Sequence, residues 1–74
     1  MNTTPKFYVV ETGDYLQIAE GFTPLDAVKN AFQKKEPTRA GLITEARPMQ
    51  ENGAEETFFI NTLKAMEAVG FIIE

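Results

Sequence analysis

The chain has 74 residues, 43% of them hydrophobic and 24% charged, with eleven acidic side chains against seven basic ones and a net charge of −4. That is the balance of a folding chain, and the length predicts one domain, residues 1–74, whose core supplies only about 3–5 kcal/mol net. Cys, His and Ser are all absent, which excludes disulfides, thiolate or imidazole metal sites, and Ser-His or Cys-His nucleophilic machinery.

Residues 1–5 read as a frayed tail with no apolar stretch of the signal-peptide kind. The longest apolar run, Phe7-Tyr8-Val9-Val10, is far too short to span a membrane, so a cytoplasmic location is expected. Lys6 to Val10 is rich in aromatic and β-branched residues, and Tyr15 to Ala19 alternates. With turn chemistry at Thr12-Gly13-Asp14 between them, residues 6–20 predict a β-hairpin. A two-residue loop at Gly13-Asp14 pairs Val9 with Ile18 and places Phe7, Val9, Leu16 and Ile18 on one face, expected to be the core face. A three-residue loop puts Tyr8 and Val10 there instead.

Residues 23–35 predict a helix: Thr23 as N-cap, Pro24 in the first turn, and Asp26 completing a variant of the capping box. Leu25, Val28, Ala31 and Phe32 fall at helical spacing and form its expected inward face. Lys34 and Lys35 suit the negative end of the helix dipole, and Pro37 stops the element. Residues 40–60 predict a second hairpin, with Pro48 ending one strand and the turn signal Asn52-Gly53 in the polar loop after it. Residues 62–69 predict a second helix, capped by Asn61 or Thr62, with Leu63, Met66 and Val69 inward and Gly70 at its end. Phe71-Ile72-Ile73 reads either as a hydrophobic stop or as a short fifth strand.

The expected fold is therefore α+β: two layers in the order ββαββα, an antiparallel four-stranded sheet with both helices on one face. Thr23-Pro24-Leu25-Asp26-Ala27-Val28 and Asn61-Thr62-Leu63-Lys64-Ala65-Met66 share cap, Leu, Ala and large-apolar positions, a weak echo between two ββα units.

The remaining chemistry is carboxylates, Lys, Tyr and Thr. Paired carboxylates acting on glycosides need a deep cleft, and Glu51, Glu55 and Glu56 lack the Asp-x-Asp-x-Asp-Gly pattern of a calcium loop. The isolated glycines form no phosphate loop. The expectation is a non-enzymatic protein with no catalytic residues, no cofactor and no metal.

Apolar residues at consecutive positions point instead to a binding surface. Phe7-Tyr8-Val9-Val10, Leu42-Ile43 and Phe58-Phe59-Ile60 place apolar side chains on both faces of a sheet that the helices cover on one side only. With Phe7 and Val9 in the core, the association surface is expected at Tyr8, Val10, Tyr15 and Phe59, for a protein partner or a second copy, through the sheet face or a strand edge. One of Phe58 and Phe59 belongs to each face. A competing reading takes Lys34, Lys35 and Arg39 as a basic patch for nucleic acid, which the net charge of −4 disfavours. Through the first hairpin and Thr23 to Ala31, about a third of its length, the chain resembles the hairpin–helix unit of HicB-type antitoxins. It lacks the third strand and the Gly-Cys segment of that unit. The resemblance implies a small regulatory or accessory protein that works by binding.

Overall fold

A computed structural model describes residues 4–37, 41–49 and 56–71. Strands β1 (Lys6–Thr12) and β2 (Tyr15–Gly21) are followed by helix α1 (Pro24–Lys34), strands β3 (Ile43–Pro48) and β4 (Phe58–Asn61), and helix α2 (Thr62–Val69). The order ββαββα is the one the sequence predicts. One antiparallel sheet holds the strands in the order β2-β1-β3-β4. Glu51, Glu55, the Asn52-Gly53 turn, Arg39 and the choice between a stop and a strand at Ile72 and Ile73 lie outside the described residues.

The first hairpin turns through Gly13 and Asp14, with Thr12 opposite Tyr15 and Val9 opposite Ile18. Gly13 has φ +55°, as a two-residue loop with glycine at its first central position requires. The register is thus the expected one, but the faces are inverted. Tyr8, Val10, Tyr15 and Ala19 are buried in the core, whereas Phe7, Leu16 and Ile18 are exposed on the opposite face.

The reason lies in how closely the helices approach the sheet. The seam between the layers is built from small residues: Ala19 and Ala46 on the strands, Ala27, Ala31 and Ala65 on the helices. A Cβ added at Gly21 would sit 2.4 Å from the backbone nitrogen of Ala27. Small residues let α1 lie close against β2, and the aromatic and β-branched side chains Tyr8, Val10, Tyr15 and Phe32 then fill the remaining space. The alternate face of larger aliphatic residues would hold the helix off the sheet.

Both helices are capped as their sequences dictate. The Thr23 hydroxyl accepts from the Asp26 N–H at 3.0 Å, and the Asp26 carboxylate accepts in return from the Phe22 N–H at 3.0 Å. Inward on α1 are Ala27, Val28, Ala31 and Phe32, while Leu25 is exposed. On α2, Asn61 is the cap, its side chain accepting from the Lys64 N–H. Ala65 is buried, Met66 and Val69 pack against the core, and Leu63 is exposed. Beyond α2, Gly70 takes φ +102°, its N–H bonds to the Glu67 carbonyl, and the Phe71 N–H reaches the Met66 carbonyl. This is a Schellman stop, with Phe71 packed on the core.

Candidate interaction surface

Alternation along an antiparallel strand puts successive side chains on opposite faces. On the helix side, every described polar side chain buried in the core has its partner. The Tyr15 hydroxyl donates to the Ala31 carbonyl at 2.6 Å, and its ring meets Phe32 edge-on at 5.4 Å between centroids. Burial pushes the Tyr15 phenol up to about 12. The Thr44 and Thr62 hydroxyls pair at 2.7 Å, tying β3 to the start of α2. Thr12 ties the hairpin to the start of β3, its hydroxyl accepting from the Gly41 N–H at 2.8 Å and donating to the Ile43 carbonyl at 3.2 Å.

Tyr8, Val10 and Tyr15 are therefore not surface residues. They are 4%, 0% and 6% exposed, so the expectation that they form an association surface is corrected: they belong to the layer interface. Phe59 is 69% exposed, and Phe58 turns toward the core. The open face carries Phe7, Leu16, Ile18, Ile43 and Phe59, all exposed to about half or more. Three of them, Phe7, Leu16 and Ile18, are residues that the sequence pattern predicts for the core. The small residues Ala19, Gly21, Ala27 and Ala31 were the signal for the opposite choice.

This face is ordered in rows. Ile18, Val9 and Arg47 lie side by side across β2, β1 and β3. The next row is Leu16, Glu11, Glu45 and Phe59, across all four strands. Between the two apolar flanks stands an ionic group: the Arg47 guanidinium donates to Glu11 at 3.1 Å and to Glu45 at 3.4 Å. These side chains are each a third to a half exposed, so the pairs add little stability to the isolated chain.

Two other surfaces are present. A groove of about 520 Å³ lies between the start of β3 and α2, lined by Leu42, Ile43, Asn61, Leu63 and Met66. The lysines Lys34 and Lys35 are exposed at the end of α1. Among the described residues there is no cluster of three or more acidic side chains placed to hold a metal ion. Among them, too, no helix is long and apolar enough to cross a membrane. No family model, curated protein or solved structure matches the chain.

Proposed function

We propose that this protein acts by binding rather than by catalysis, through the open face of its sheet, and that its partner is a protein surface. The observation that carries the reading is the position of Phe7, Leu16, Ile18, Ile43 and Phe59, all on the face that neither helix covers and all exposed. Together they expose on the order of 500 Å² of apolar surface, in two flanks on either side of the Arg47–Glu11–Glu45 group, a sum comparable to the largest patch on an ordinary monomer. Such a patch lowers its free energy by leaving water against another apolar surface.

The face is favoured over the edge at β2 for a specific reason. In this register the outward-turned backbone groups of β2 belong to Leu16, Ile18 and Glu20. The Asn30 side chain donates to the Glu20 carbonyl at 2.6 Å, which occupies one of the acceptors that strand addition would need.

The test is in-cell crosslinking from a photoreactive residue placed singly at Leu16, at Phe59, or at Gln33 on the exposed side of α1. Crosslinks to protein are expected from the first two positions and not from Gln33. Equal crosslinking from all three, or none from Leu16 and Phe59, contradicts the reading.

A further inference from the structure

Building on the open-face reading, we propose that the occupant is a second copy of this chain, packed sheet on sheet about a two-fold axis. The axis runs across the strands between the Ile18–Val9–Arg47 row and the Leu16–Glu11–Glu45 row. Laying the face on its copy row for row would set carboxylate against carboxylate, since Glu11 and Glu45 share one row. A two-fold between the rows exchanges them instead. Arg47 then meets Glu45 of the second copy, Glu45 meets its Arg47, and Leu16 meets its Ile18. The Arg47–Glu45 and Leu16–Ile18 contacts become complementary in one operation, because on β3 Glu45 and Arg47 are two residues apart on the same face, as are Leu16 and Ile18 on β2. Val9 lies over Glu11 of the second copy, a carboxylate already held by its own Arg47 at 3.1 Å.

An isologous contact of this kind is the commonest route to a homodimer. Two twisted sheets stacked about 10 Å apart with nearly aligned strands is the usual geometry of sheet packing. The apolar patch, with the ionic strip and the strand surfaces between its flanks, approaches the roughly 800 Å² per partner of a specific interface. Association is therefore expected at the small end of stable dimers and to depend on concentration.

The experiment is sedimentation equilibrium on the wild-type chain, on Arg47→Glu, on Glu45→Arg, and on an equimolar mixture of the two variants, with circular dichroism to check that each is folded. The wild type is expected to reach twice the monomer mass of 8.3 kDa. Each charge reversal alone is expected to weaken association at least tenfold, a loss of about 1.4 kcal/mol. In the mixture every reversed position faces an opposite charge, so dimers are expected to return at close to wild-type affinity. Should a charge reversal unfold the chain, Arg47→Ala and Leu16→Asp replace it, and each is expected to weaken the dimer. A mixture no tighter than its components, or a wild type that stays monomeric, overturns the two-fold pairing. With a monomeric wild type, crosslinks from Leu16 and Phe59 to a different protein leave the open-face reading standing. A dimer indifferent to Leu16→Asp overturns the sheet-on-sheet pairing, and the open-face reading then rests on the crosslinks from Leu16 and Phe59.

Discussion

Tyr15 joins the two layers through a single oxygen. Its hydroxyl donates to the Ala31 carbonyl at 2.6 Å while its ring packs edge-on against Phe32, so one side chain serves both the hydrogen-bond requirement and the packing of α1 on β2. A buried donor that lacks its partner costs more than the bond contributes, so the hydroxyl of a Tyr buried at this position has to be paired. Tyr15→Phe is expected to lower stability by about 1 kcal/mol in urea unfolding. The same burial makes stability depend on alkaline pH. The folded-state value of about 12 stands above the ordinary value of 10.0, so the folded chain holds the phenolic proton more tightly than the unfolded one. The stabilisation is complete below pH 10 and is lost as pH rises through about 12. In Tyr15→Phe that component of the alkaline loss is expected to disappear, which unfolding curves taken across this pH range will register.

At the scale of elements, the decisive question is which face of the first hairpin meets the helices. Val10→Asp places a carboxylate where the side chain is fully buried, and it is expected to unfold a domain with only a few kcal/mol to lose. Ile18→Asp sits on the open face at 50% exposure and is expected to cost about 1 kcal/mol or less, with the fold intact. Thermal unfolding followed by circular dichroism separates the two, and reversal of their order would contradict the assignment of faces. Element order, caps and hairpin register were legible in the sequence because each rests on local chemistry: Gly13 in the turn, Thr23 and Asp26 around the helix start, Gly70 after the helix end. The choice of face was not, because both alternating sets in β1 and β2 are apolar and hydrophobicity alone does not separate them. The larger aliphatic set looks like core, yet the close approach of α1 over Gly21 and Ala19 selects the other. The exposure of Leu25 and Leu63 has the same origin, since Ala27, Ala31 and Ala65 hold the seam.

For the whole molecule, the sheet order β2-β1-β3-β4 maps onto itself when the two ββα units are exchanged, with the antiparallel β1–β3 pair at the centre. The faint sequence echo between the helix starts thus has a counterpart in the architecture. Placing both helices on one side leaves the other side of the sheet to solvent or to a partner, and that side holds the exposed Phe7, Leu16, Ile18 and Phe59. The most direct measurement is a dilution series followed by side-chain and amide nuclear magnetic resonance, from the micromolar range up to about 1 mM, where even weak pairing is populated. Signals of Phe7, Leu16, Ile18 and Phe59 are expected to shift with concentration, while those of Val28, Gln33 and Leu63 stay fixed. Shifts confined to the groove at Leu42, Leu63 and Met66, or no shifts at all, would contradict the pairing of two copies through the open face.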